Sequence, residues 1–160
     1  MNKSISFLFF IMATVFTSFT QAQSVDEVIT KHIEALGGME KISKIENVVM
    51  TGSLDFQPEP KPAEEVKENQ GDLDVAGPLV DYAAKGHKVT LEGKEDIDGK
   101  PCYKINASLA SGKKITFFID AATHMISRTM DKRKINGAET DLQTDLGDYK
   151  EVEGVKMAHS

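Results

Sequence analysis

The residues whose side chains could perform catalysis or bind a metal are few in this sequence and stand far apart. The four histidines are His32, His87, His124 and His159, and no two have the i, i+4 spacing that presents a pair of imidazoles on one helix face. The one cysteine, Cys102, falls in a strand pattern, where a small semi-buried residue is expected. A reactive thiol would also need surroundings that lower its pKa. We therefore expect no metal site and no catalytic cysteine.

The stretch KEDIDGK matches a calcium-binding loop only in part. Asp96 and Asp98 precede Gly99, but such a loop also needs an oxygen ligand at position 94 and a glutamate where Ile105 stands. Asp98-Gly99 instead favours a tight hairpin turn. The sequence has no G-x-S-x-G, no H-E-x-x-H and no glycine-rich phosphate loop. We predict a protein that is not an enzyme, with no catalytic residues and no cofactor.

The first 22 residues have the pattern of a secretory signal peptide. Lys3 is followed by an uncharged apolar run over residues 5–19 and by small residues at Thr20 and Ala22. The run is shorter than the roughly 20 apolar residues that a membrane-spanning helix needs. We therefore predict export with cleavage after Ala22, which would leave a mature chain that begins at Gln23.

The mature chain, residues 23–160, is long enough for one domain with a modest core. Because the leader holds one lysine and no acid, this chain has 18 basic and 25 acidic residues and a net charge of −7. Such a balance argues against nucleic acid as a partner and against attraction to anionic membrane surfaces. A single cysteine allows no disulfide within the chain.

The mature chain begins with a helical pattern. Ser24 to Glu27 form a capping box, and Gly37-Gly38 are typical of a helix C-terminus. Between them, residues on one face recur at helical spacing: Val25, Val28, Ile29, His32, Ile33 and Leu36. A short helical turn over residues 39–43 and a strand over residues 46–54 should follow. The proline- and acid-rich segment at about 57–74 has little to bury and should be exposed, and a short helix is predicted from Pro78 to Ala84.

From His87 onward the apolar residues alternate with polar ones, which indicates strands. Turn signals at 98–99, 111–112, 121–124 and 136–137 separate four or five strands, as in an antiparallel meander. One face of this curved sheet is apolar and must be covered, and the helices are the obvious cover. The predicted fold is α+β. The periodicity fits a ligand cavity and an ordinary filled core equally well.

Four stretches together resemble the outer-membrane lipoprotein-sorting family, which includes the periplasmic lipoprotein carrier and its outer-membrane receptor (LolA/LolB-like). They are IEALGGMEKISKIENVVMTGSL, GPLVDYAAKGHKVTLEGKEDIDGKPCYKI, FFIDAATHMISR and TDLGDYKEVEGVKMAHS. The motifs, moderately specific as an ensemble, are the helix followed by Gly-Gly, G-K-x-x-Y-K-I, F-x-I-D-x-x-T and the closing D-Y-K-x-V-x-G-V. Compared with the family, the chain passes directly from Phe56 to Gln57-Pro58, stops at Ser160 and has Ala158 at a usual proline position. The resemblance therefore predicts a family member shortened by an internal gap and an early C-terminus.

The resemblance implies an incomplete antiparallel half-barrel with helices across its open mouth, in the periplasm of a Gram-negative bacterium. It also implies a non-enzymatic role in outer-membrane lipoprotein sorting, with lipid or lipoprotein acyl chains bound in an apolar cavity. The expected cavity-lining residues are Val28, Ile29, Ile33, Leu36, Ile105, Leu109, Ile115, Phe117 and Ile119. The alternative is an envelope protein-interaction module without a lipid cavity, which would bind a protein partner at an exposed sheet edge.

Overall fold

The computed structural model of the chain describes residues 23–45, 76–135 and 138–160. The predicted leader, the predicted strand over 46–54, the proline- and acid-rich segment at 57–74 and the turn at 136–137 lie outside these residues. The described elements are α1 (Val25–Leu36), α2 (Met39–Ile42), β1 (Lys88–Ile97), β2 (Lys100–Ser108), β3 (Lys114–Asp120), β4 (Ile126–Ile135), β5 (Ala138–Asp145), β6 (Lys150–Val152) and β7 (Val155–Met157). The fold is α+β, with a five-stranded antiparallel sheet. None of the helices in these residues has the length and apolar character required to cross a membrane.

Helix α1 begins and ends where the sequence predicts. The Ser24 side chain accepts a hydrogen bond of 3.1 Å from the backbone N–H of Glu27, which satisfies one of the free donors of the first turn. At the other end Gly37 adopts a φ of 132°. A Cβ at Gly37 would lie 2.3 Å from the carbonyl oxygen of Gly154, in the turn between β6 and β7. Glycine is therefore needed there both for its backbone conformation and for the close approach of the two segments.

Residues 76–86 form successive turns, so the helix predicted from Pro78 to Ala84 is wrong. Asp81 has a φ of 50°, which interrupts any regular helix. The backbone hydrogen bonds change spacing accordingly, from Val80 N–H to the Gly77 carbonyl and then from Lys85 N–H to the Asp81 carbonyl. Since the Val80 side chain is buried, the segment still packs against the rest of the domain.

The sheet has the order β1-β2-β3-β4-β5, and all neighbours are antiparallel, as the predicted meander requires. Asp98 and Gly99 join β1 to β2 with φ values of 53° and 80°. A two-residue hairpin turn of type I′ needs positive φ at both positions, so this turn is confirmed. The pairing register shifts once between Leu91 and Gly93 and once between Phe118 and Ile119. Such bulges increase the local bend and twist of a strand.

Most buried apolar side chains belong to one group, here called the main cluster. It comprises Val28, Ile29, Leu79, Tyr103, Ile105, Ala107, Leu109, Phe117 and Ile119. A second cluster comprises Ile42, Val80 and Val155, and a third comprises Ile97, Cys102 and Phe118. Phe118 alternates with Phe117 along β3, so the third cluster lies on the opposite face of the sheet. The sheet therefore has a small buried apolar cluster on that face as well.

Candidate functional site

Eight of the nine side chains predicted to line a cavity meet at the main cluster. Val28, Ile29, Ile105, Leu109, Phe117 and Ile119 are members of it, and Ile33 and Ile115 pack against it. Leu36 instead packs against the second cluster. The six members are at most 8% exposed. They contact one another as a packed core, and an open space with both polar and apolar lining lies beside them.

That space is a groove between α1 and the turns of residues 76–86, here called the α1 groove, with a volume of about 390 Å³. Its apolar wall includes Ile29 and Ile33 from α1 and Leu79 from the turns. Met39, at the start of α2, also lines it and is 37% exposed. Ile29 and Ile33 are the two members of the predicted nine that line this groove.

Consecutive residues of the turns beside the α1 groove pack against different clusters. Leu79 is 2% exposed and belongs to the main cluster, whereas its neighbour Val80 belongs to the second. The turns are thus attached to two clusters at once, and this attachment fixes their position along α1. Sequence reasoning did not single out Leu79 as a site residue. Its signal was the apolar pair Leu79-Val80 directly after Gly77-Pro78.

A hydrogen bond joins the two sides of the groove. The Tyr82 hydroxyl donates to the carboxylate of Asp26, in the first turn of α1. This bond to Asp26, together with burial and the nearby negative charge, raises the pKa of Tyr82. The phenol therefore stays protonated and remains a donor at neutral pH. It holds the N-terminal end of α1 to the turns.

The charged side chains that line the α1 groove are both acidic. They are Asp26 and Asp81, and the described lining residues include no lysine, arginine or histidine. Lys31, on α1, forms a 2.7 Å ion pair with Glu27. Lys85, on the turns, donates to the Gly77 carbonyl at 3.0 Å. The polar part of the groove therefore presents carboxylates and a phenol to a ligand.

His32 lies on α1 and is 3% exposed. Its Nδ1 is 2.7 Å from the carbonyl oxygen of His124, in the turn between β3 and β4, so the ring donates there as the Nδ1–H tautomer. Burial lowers the pKa of His32, and this effect outweighs the backbone hydrogen bond that raises it. The ring is thus a neutral contact between helix and sheet. Within the described ranges no group of three or more His, Cys, Asp or Glu residues is arranged to hold a metal ion.

Cys102 and Asp120 both have structural roles. Burial raises the pKa of the Cys102 thiol, which disfavours a reactive thiolate. The Asp120 carboxylate accepts hydrogen bonds of 2.8 and 2.7 Å from the backbone N–H groups of Ala122 and Thr123. Although burial alone would raise the pKa of Asp120, these bonds lower it overall. The motif F-x-I-D-x-x-T thus forms the turn between β3 and β4.

The chain matches no protein-family model, no curated protein and no solved structure. The resemblance to the lipoprotein-sorting family therefore stays a prediction from the sequence. Any function has to be argued from the groove and the clusters themselves.

Proposed function

We propose that this protein is a non-enzymatic periplasmic binding protein that holds acyl chains of lipids or lipoproteins in the α1 groove. One observation carries the proposal: Ile29 and Leu79 line the groove and are also members of the main cluster. An apolar chain lying in the groove would therefore reach the outer edge of the core, where Ile29 and Leu79 keep 3% and 2% of their surface exposed. Ligand sites of this kind combine an apolar lining with a few polar groups that orient the ligand.

The size of the α1 groove suits one short apolar segment. Its volume of about 390 Å³ lies in the lower part of the range of about 300–1,000 Å³ that is usual for ligand sites. Burial of a methylene group contributes about 0.8 kcal/mol, so about eight buried methylenes would contribute about 6 kcal/mol. That gross free energy corresponds to a dissociation constant of tens of micromolar, roughly, before the costs of association.

The proposal includes a finer description of the fold. In it, the five-stranded sheet is an incomplete half-barrel whose apolar face is covered by α1 and the turns of residues 76–86. The membership of Val28, Leu79 and Ile105 in one cluster supports this arrangement, and the bulges in β1 and β3 supply curvature. The signal-peptide pattern of residues 1–22 supports the periplasmic location.

Binding of a fluorescent acyl probe to the exported protein tests the proposal, together with mass spectrometry of lipids extracted from the purified protein. We expect saturable probe binding that an unlabelled acyl chain reverses. Ile33→Ala should weaken it about tenfold, because the methyl and methylene groups lost are worth about 1–2 kcal/mol of contact. Ile115→Ala is the matched control, since both isoleucines pack partly buried against the main cluster and only Ile33 lines the groove. Absence of both probe binding and extracted lipid would refute the proposal.

The second candidate function is protein interaction at the edge strand β5. Among the described strands β5 ends the sheet on one side, and all of its residues are exposed except Leu142, which is half-buried. A sheet edge of this kind is able to accept a strand from a partner protein. A strictly monomeric protein that gives no crosslinked partner in the periplasm would argue against this function.

A further inference from the structure

We infer that the α1 groove selects an amphiphile with an ammonium head group over one with a carboxylate head. The inference rests on the proposed function, since it assumes that an acyl or alkyl chain occupies the groove. The apolar wall of the groove does not determine the head group of that ligand, and the inference concerns the chemistry of this head group.

The described lining of the α1 groove is negatively charged. Asp26 and Asp81 are its charged residues, and neither a lysine, an arginine nor a histidine is among the lining residues that the structure describes. Two nearby cations have other contacts, as Lys31 pairs with Glu27 and Lys85 donates to a backbone carbonyl. A carboxylate head would therefore meet like charge without a compensating cation among the described lining residues, whereas an ammonium head would meet opposite charge.

The N-terminus of α1 would otherwise favour an anion through its free N–H groups. The Ser24 side chain already accepts one of these N–H groups, and the first turn contains the acids Asp26 and Glu27. The positive end of the helix is thus countered by groups of the chain itself. An anionic ligand at this end would have to compete with them.

The hydrogen bond between Tyr82 and Asp26 also favours an ammonium head group. The Tyr82 hydroxyl donates to Asp26, so this carboxylate is held at the groove by a bond from the opposite side. A carboxylate accepts several hydrogen bonds at once, which leaves Asp26 able to accept from an ammonium N–H as well. The Tyr82 phenol stays protonated near neutral pH, so it adds no negative charge to the groove.

Coulomb's law gives the size of the effect. One unit charge about 4 Å from a lining carboxylate changes affinity by about fivefold in water-like surroundings and by more at a protein surface. The effect has opposite signs for the two head groups. We therefore expect the ammonium amphiphile to bind at least about tenfold more tightly than the carboxylate amphiphile of equal chain length, at low salt.

The test compares three amphiphiles with the same dodecyl chain: dodecylammonium, dodecyl maltoside and dodecanoate. Each competes with the acyl probe for the exported protein, below its micelle concentration. We expect affinity to fall in that order. The double variant Asp26→Asn/Asp81→Asn should lose the order while still binding the neutral amphiphile, because the amide oxygen of asparagine retains an acceptor for Tyr82 and asparagine tolerates a positive φ.

The matched control is Glu139→Gln/Glu151→Gln, which removes the same two charges from exposed positions on β5 and β6 and should keep the order. If the double aspartate variant does not fold, Asp81→Asn alone, at an exposed turn position, should reduce the preference. Equal affinities for the three heads, or an order unchanged in the aspartate variants, would overturn this inference and leave the proposed function standing. Failure of all three amphiphiles to displace or bind would overturn both.

Discussion

The substitution Phe117→Ala distinguishes a packed core from an internal ligand cavity. Phe117 is 4% exposed and belongs to the main cluster. It lies opposite Ile105 of β2 and Thr129 of β4, so it is enclosed by strands on both sides. Removal of its ring leaves a void that the surrounding strands fill only in part. A buried phenylalanine changed to alanine costs about 3–5 kcal/mol in such surroundings.

The assay is urea denaturation followed by circular dichroism, with acyl-probe binding measured on the same preparations. With an m-value of about 2 kcal/mol per molar urea, the midpoint should fall by roughly 2 M. Because domains of this size are stable by about 5–15 kcal/mol, Phe117→Leu, with a cost of about 1–1.5 kcal/mol, serves if the alanine variant does not fold. Probe affinity should change little, since Phe117 does not line the α1 groove.

A small loss of stability together with a large loss of probe binding would refute this reasoning. A Phe117→Ala protein that loses less than about 1 kcal/mol and most of its probe binding would place the ligand inside the cluster. The nine residues would then line a cavity, as the family resemblance implies, and the groove would be only its outer part.

Three further predictions concern local structure. Ser24→Ala should lower the free energy of unfolding by about 0.5–2 kcal/mol because a cap of α1 is lost, and an unchanged urea midpoint would contradict this. The free energy of unfolding should be highest above a pH of about 6.5 and should fall at lower pH. Burial lowers the pKa of His32, so the unfolded chain binds more protons than the folded chain below that pH. His32→Asn, compared at pH 7.5 and 5.5, should remove most of this dependence. Gly37→Ala, with a methyl carbon 2.3 Å from the Gly154 oxygen, should cost about 2 kcal/mol or more in the same denaturation assay.

Features set by neighbouring residues were predictable from the sequence. The cap at Ser24, the C-terminal glycine at Gly37 and the Asp98-Gly99 turn each depend on a few adjacent residues whose chemistry favours one conformation. The meander followed from alternation along β1 to β5. These features are local, so periodicity and turn chemistry are sufficient to identify them.

Features set by packing between distant segments were not predictable. A helix was expected after Pro78, but Asp81 has a positive φ, and Leu79 and Val80 pack against different clusters. The α1 groove lies between α1 and these turns. The hairpin of β6 and β7, which follows the end of β5 at Asp145, was also not predicted. There the Tyr149 hydroxyl donates to the Ile126 carbonyl at 2.9 Å, a long-range contact that no local pattern indicates.

The most direct measurement of the central claim is photo-crosslinking of the exported protein with an alkyl diazirine probe that has a neutral head group. Peptide mass spectrometry then identifies the labelled residues. We expect saturable labelling on α1 around residues 29–33 and on the turns around residues 79–84, which line the groove. An excess of unlabelled amphiphile should abolish it, and Ile33→Ala should reduce it. Labelling confined to the edge strand β5 or to the face of the sheet that bears Phe118, or no saturable labelling at all, would contradict the claim that the α1 groove binds acyl chains.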